Sequence, residues 1–206
     1  MHTPADLIHI LPTLPHLSMQ GYAYRVIDYK YLAANPPLHP NRYLYGLGAP
    51  ATGARFTPRG GPQTIYMADD LATAFDEANP VQAILRQTDP GLASPTPPGG
   101  YASILYELET VLDLTDLNVQ HALGTDTAEL TKPWRQAQKR GRPCVTQFLG
   151  QAVFDSGAFQ AIRFESARVT GTYCLCVFTD RLVAPAHLEV YDPNNNINER
   201  DRKSVV

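Results

Sequence analysis

Apolar and polar residues alternate along this chain in short bursts, and proline and glycine separate one burst from the next. Residues 22–27 (YAYRVI) alternate with a period of two and predict a strand, with Arg25 on the face shared by Ala23 and Ile27. Residues 64–68 (TIYMA) predict a second, bounded by glycine and proline before it and by Asp69 after it. Asp69 or Asp70 then caps a helix, because a carboxylate accepts from the unpaired amides of a first turn. In that helix Leu71, Ala74, Phe75 and Ala78 recur at helical spacing and predict the buried stripe. At 3.6 residues per turn, Glu77 lies about 110° from the middle of the stripe. A carboxylate at such a boundary either faces solvent or looks into an adjoining cleft.

Further strands are predicted at 103–109, 159–165, 172–179 and 187–191, and helices at 126–140 and 146–155. Pro4, Pro12 and Pro15 keep any helix in the first twenty residues short. Two breaker-rich stretches interrupt the pattern: a Pro/Tyr-rich loop at 35–61, and residues 89–100, which read as a surface excursion or lid. Residues 193–206 are polar and are expected to fray. Strands and helices in this order predict one α+β domain over 1–206. Its mixed β-sheets carry flanking helices, its core spans about 22–182, and residues 1–20 are a lead-in.

Composition narrows the function classes. At 206 residues and 44% hydrophobic, the chain has material for one core. A net charge of −3 gives no electrostatic case for nucleic acid. The apolar runs are too short for a bilayer, and no basic segment followed by an apolar one marks a secretory signal. Cys144, Cys174 and Cys176 do not make a disulfide framework, and Cys174 and Cys176 suit the core of a strand. A reducing, cytoplasmic setting is the expectation. His2, His9 and His16 recur every seven residues, but the prolines break the helix that would align them, and no metal-ligand spacing appears.

The candidate chemistry lies mainly in Arg55, Tyr66 and Glu77, at intervals of eleven residues on a loop, a strand and a helix. Those side chains suit a site that grips a phosphorylated nucleotide and breaks a glycosidic bond. Arg25, on an apolar strand face, must find an anion or several acceptors, because a buried unpaired guanidinium is costly. A structural carboxylate satisfies it as well as a substrate does. Ser166 closes the strand at 159–165 on the face of Ile162 and Phe164, so it points inward, either as part of a site or as a plain strand terminator. A rival motif, GLGAPA at 46–51, matches a dinucleotide fingerprint, with Asp69 and Asp70 about twenty residues later. It fails on mechanism: the fingerprint needs a helix directly after the glycines to hold a pyrophosphate, and residues 52–62 carry three glycines and two prolines. No GxxxxGK[ST] loop and no GxSxG elbow occur.

Taken together, these segments resemble the RES-domain family, the toxin class named for its Arg, Glu and Ser. The resemblance rests on Tyr24–Val26 (YRV), on GARF…G…IYMA…EA between Gly53 and Ala78, on TQFLGQA at 146–152, and on FESAR…T…CLCVF toward the C-terminus. It covers about 22–182 and points to Arg25, Arg55, Tyr66, Glu77 and Ser166. Phe56 stands where tryptophan is common, Glu165 where proline is common, and the loop between the two arginines is long. The resemblance implies a fold similar to ADP-ribosyltransferases, no prosthetic group, NAD as substrate, and a role as toxin paired with an Xre-type helix-turn-helix antitoxin. It leaves homo-oligomerisation open. Implied activities are NAD degradation, including phosphorolysis with inorganic phosphate as co-substrate, or transfer of ADP-ribose to a protein.

The residue types suit that chemistry. Nicotinamide leaves NAD as a neutral molecule, so no general acid is required. Arg25 and Arg55 can divide the pyrophosphate and an incoming phosphate between them by charge-assisted bonds. The ring of Tyr66 can pack on nicotinamide or ribose. Glu77 can stabilise an oxocarbenium-like transition state. Ser166 would position ribose or phosphate, with no covalent serine step. The expectation is phosphorolysis of NAD, with protein ADP-ribosylation, hydrolysis, and a non-catalytic NAD-sensing or partner-docking module as the alternatives.

Overall fold

The computed structural model describes residues 1–32, 42–79, 84, 88, 99–142, 144–194 and 196–201. It is an α+β fold built on seven strands: β1 (Leu17–Asp28), β2 (Thr64–Ala68), β3 (Gly99–Asp113), β4 (Ala161–Glu165), β5 (Tyr173–Phe178), β6 (His187–Val190) and β7 (Arg200–Asp201). Between them lie α1 (Pro4–Ile10), α2 (Tyr29–Leu32), α3 (Gly48–Thr52), α4 (Leu71–Ala78), α5 (Leu117–Ala122), α6 (Thr127–Leu130), α7 (Trp134–Lys139) and α8 (Val145–Ser156).

The strand order is β1-β2-β5-β4-β3-β6-β7, and β1 also pairs with β3. The antiparallel β1–β3 ladder runs from Leu17↔Val111 to Asp28↔Gly99. On the opposite side β5 lies between β2 and β4, antiparallel to both. Parallel pairing of β4 with the end of β3 joins the two sides, from Val111↔Ala161 to Asp113↔Arg163. The return contact, β1 to β2, is the pair Tyr24↔Ala68. The five strands therefore form a ring, and one seam of that ring is held by a lone residue pair.

Alternation sorts the side chains into two cores. Ala23, Ile65, Met67, Ile104, Leu108, Ala161, Leu175, Val177 and Leu188 pack together inside the ring. The other faces of β2, β4 and β5 supply Ala68, Ile162, Phe164, Cys174, Cys176 and Phe178, which pack against Leu149 and Val153 of α8 and Leu7 of α1. Because β5 is covered on both faces, its sequence YCLCVF reads as a continuous apolar run. All three cysteines are free and buried.

Several expectations change in the structure. The helix predicted at 126–140 is two short helices, α6 and α7. Pro133, which caps α7, cannot donate an amide and disfavours helical backbone at the residue before it. Strands β1 and β3 run several residues past their predicted bounds, because each pairs with the other along its length. The loop read at 35–61 carries the single turn of α3, ended by Gly53 at φ 84. Asp70, not Asp69, caps α4, and the face that α4 buries is Thr73 and Ala74, while Ala78 is exposed. Glu77 lies one turn beyond Thr73, so it turns toward the interior more than the apolar stripe implied.

The polar tail also differs from its expectation. The Val190 amide donates to the Glu199 carbonyl at 3.0 Å, and β7 pairs with β6. The excursion read at 89–100 lies outside the described residues except for Gly99 and Gly100, which open β3. No helix among the described residues is long and apolar enough to cross a membrane.

Candidate functional site

A cleft of about 310 Å³ opens at the seam where β1 meets β2. Its walls include Arg25 from β1, Arg55 from the loop before β2, Tyr66 from β2 and Glu77 from α4. Four of the five residues singled out in the sequence therefore converge on one cavity. The fifth, Ser166, lies directly behind Glu77.

Arg55 is 7% exposed and sits on a loop fixed from several sides. The Phe56 amide donates to the Tyr66 hydroxyl oxygen at 2.9 Å, and that hydroxyl shares a further 2.9 Å hydrogen bond with Thr57. The Phe56 ring, fully buried, meets Phe164 edge-on at 4.7 Å. From α8, Gln147 Nε2 donates to the Ala54 carbonyl at 2.9 Å. Gly150 lies against Phe56 so closely that a Cβ there would stand 1.8 Å from the Phe56 carbonyl oxygen. Arg55 Nη1 donates to the Leu130 carbonyl at 2.8 Å. Burial lowers the pKa of its guanidinium, and the negative charge of Glu77 opposes that shift.

Glu77 is held from behind. Its Oε1 accepts from Ser166 Oγ at 2.7 Å and from the Ala167 amide at 3.0 Å. Both bonds fall on Oε1; Oε2 accepts none among the described residues. Ser166, 4% exposed, also accepts from the amides of Arg168 (3.1 Å) and Val169 (3.2 Å). One donor and two acceptor sites are the whole capacity of a hydroxyl, so Ser166 has none left for a ligand. Its geometry orients the carboxylate.

The Tyr66 ring is edge-on to Phe164 at 6.4 Å and lines the cleft. Burial pushes its phenol well above the ordinary pKa. At neutral pH the hydroxyl therefore stays protonated, and it fixes the Arg55 loop.

Arg25 finds a backbone carbonyl in place of the structural carboxylate that the sequence allowed. Its Nη2 donates to the Tyr45 carbonyl at 2.8 Å, while Nη1 is buried with no partner among the described residues. No carboxylate bonds to it there; Glu199 acts on it through space. Burial pulls its pKa down to about 10, against the pull of Glu199, so it stays charged at neutral pH.

The sequence reading missed three side chains. Trp134, the chain's one tryptophan, and Arg135 line the cleft, and the Arg135 guanidinium stands 4.9 Å from the Trp134 ring centre. Burial lowers the pKa of Arg135; the positive charge of Arg168 adds to that shift and Glu77 opposes it. Arg168 likewise depresses Arg55. Glu77 is therefore the negative partner within a group of three arginines. Short elements and a turn carry these residues, and periodicity is silent there; the position of Arg168 two residues after Ser166 was the available signal. No cluster of His, Cys, Asp or Glu among the described residues could hold a metal.

Comparison with known proteins gives one family and one fold. A family model described as RES domain matches residues 22–196. The structure is similar to a chain of the M. tuberculosis MbcT–MbcA toxin–antitoxin complex, with a TM-score of 0.60 and 18% sequence identity over 91% of this chain and 90% of that one. At that identity the likeness is one of fold. No curated protein matches the chain.

Proposed function

The chain belongs to the RES-domain family, and from that premise we propose that its cleft binds NAD and cleaves the bond between nicotinamide and ribose, with inorganic phosphate as the acceptor. The observation that carries this reading is the convergence of Arg25, Arg55, Tyr66 and Glu77 on one cavity. A cationic wall suits a pyrophosphate, and the unpartnered Nη1 of Arg25 calls for an anion. The carboxylate of Glu77, with Oε2 free, suits the positive charge that develops on ribose as nicotinamide departs. In that step the C–N bond breaks and its electron pair neutralises the pyridinium. A phosphate oxygen then bonds the anomeric carbon, giving free nicotinamide and ADP-ribose 1-phosphate. The reading extends to a toxin restrained by an antitoxin, because the structurally similar chain comes from a toxin–antitoxin complex; an Xre-type helix-turn-helix antitoxin is the partner that the family resemblance implies.

Mass analysis after incubation with NAD tests the reaction. Nicotinamide and ADP-ribose 1-phosphate that form only when phosphate is added are the expected products. ADP-ribose formed without phosphate would make water the acceptor, and label on a polypeptide would make the enzyme an ADP-ribosyltransferase. NAD recovered intact, with a raised melting temperature, would make the chain a sensor.

Ser166→Ala is expected to reduce kcat about tenfold while leaving KM for NAD within about twofold, because losing one orienting hydrogen bond is worth about 1–1.5 kcal/mol. Steady-state kinetics beside Glu77→Gln would check it. A loss as large as that of Glu77→Gln would mean that Ser166 touches substrate.

A further inference from the structure

We propose that Glu199 is a positioning residue for Arg25: its buried carboxylate fixes the turn at 42–45, whose last carbonyl holds the Arg25 guanidinium. Glu199 lies beyond residue 196, where the family match ends. It is 8% exposed. One oxygen accepts from the Arg42 amide at 2.8 Å, and the other accepts from Tyr43 at 2.8 Å and Leu44 at 3.1 Å. Three amides converging on an ionised carboxylate are charge-assisted bonds and set the turn firmly. The next residue, Tyr45, accepts from Arg25 Nη2 at 2.8 Å. Glu199 is itself anchored, because its carbonyl accepts from the Val190 amide at 3.0 Å and Arg200 pairs opposite Glu189 in the β6–β7 ladder. Strand β7 is thus linked to the cleft through one carboxylate, one turn and one carbonyl. Leu44, fully within the ring core, keeps that turn against the strands. The same carboxylate supplies negative charge near the guanidinium, which Arg25 otherwise lacks among the described residues.

The inference rests on the reading that Arg25 binds an anion of the substrate. Glu199→Gln keeps the shape but removes the charge and sets an amide donor against the backbone amides. It is expected to raise KM for NAD about tenfold and to leave kcat within about threefold. Glu199→Asp is expected to recover at least half of that loss on a logarithmic scale. Glu189→Gln, which removes only the exposed ion pair with Arg200, is expected to change neither constant. An unchanged KM in Glu199→Gln, or an equal rise in Glu189→Gln, would overturn the proposal. A readout free of turnover accompanies these: the guanidinium ¹⁵N signals of Arg25, assigned with Arg25→Lys. The Nη2 protons, held by Tyr45, are expected to exchange slowly in the wild type and in Glu199→Asp, and fast in Glu199→Gln. Slow exchange in folded Glu199→Gln would sink the positioning role even if the protein turned over no NAD. Fast exchange in a wild type that consumes no NAD would sink it as well. Slow wild-type exchange that is lost in Glu199→Gln, with no turnover in either, would leave the positioning intact and remove the enzymatic reading instead.

Discussion

Glu77→Gln is expected to leave the protein folded and to reduce NAD turnover about 1,000-fold, a loss of about 4 kcal/mol of transition-state stabilisation. The amide oxygen of glutamine can still accept from Ser166 Oγ and the Ala167 amide, the two bonds that hold the native side chain. The fold therefore loses little. What disappears is the negative charge beside Arg55 and Arg135, both of which feel it. With that charge gone the cleft is wholly cationic. It should hold the pyrophosphate at least as tightly, while an oxocarbenium-like ribose finds no counter-charge. Nicotinamide release and circular dichroism on the same preparation would measure both halves of the claim. A folded variant with full turnover would remove Glu77 from the chemistry.

Gly150→Ala is expected to cost about 2–3 kcal/mol of stability and to lower the melting temperature by roughly 4–12 °C. Alanine at a helical position ordinarily stabilises, by up to about 1 kcal/mol over glycine, so the sign is diagnostic. Here the added carbon would stand 1.8 Å from the Phe56 carbonyl oxygen and 2.7 Å from Phe56 Cβ. Neither α8 nor the loop has free space, because Phe56 is fully buried against Phe164. The loop that must give way carries Arg55. The same variant is therefore expected to lose at least about tenfold in kcat/KM, since displacement of a positioning group by an ångström is that costly. Thermal unfolding with kinetics on the survivor would test both. A more stable, fully active Gly150→Ala would contradict the close packing of α8 on this loop.

How much of this could be read along the chain follows from the range of the interactions. The strand at 64–68, the aspartate cap and the helix with Glu77 are local, and the sequence pattern located them to within a residue. The buried face of α4 was not local. Thr73 is buried and hydrogen-bonded to Asp70, so a polar residue occupies a place that hydrophobicity assigned to Leu71. The inward direction of Ser166 was legible from strand alternation, but its bond to Glu77 spans 89 residues and no pattern announces it. Glu199 is the extreme case. It lies in a polar tail that composition marks for fraying, yet it is buried because amides more than 150 positions earlier need an acceptor. Arg135 and Arg168 escaped because α7 and the turn after Ser166 carry no periodicity. Arg25 was marked as a charge in need of a partner, and the structure adds that a carbonyl supplies half of the answer.

The central claim is that this cleft is built around NAD, with the scissile ribose at Glu77. A crystal structure of Glu77→Gln grown with NAD tests it most directly, because the variant should bind without consuming the ligand. The account predicts the pyrophosphate against Arg25 and Arg55, and the nicotinamide ribose within hydrogen-bonding reach of residue 77. Intact NAD seated elsewhere on the molecule, or bound in the cleft with its ribose turned away from residue 77, would contradict it.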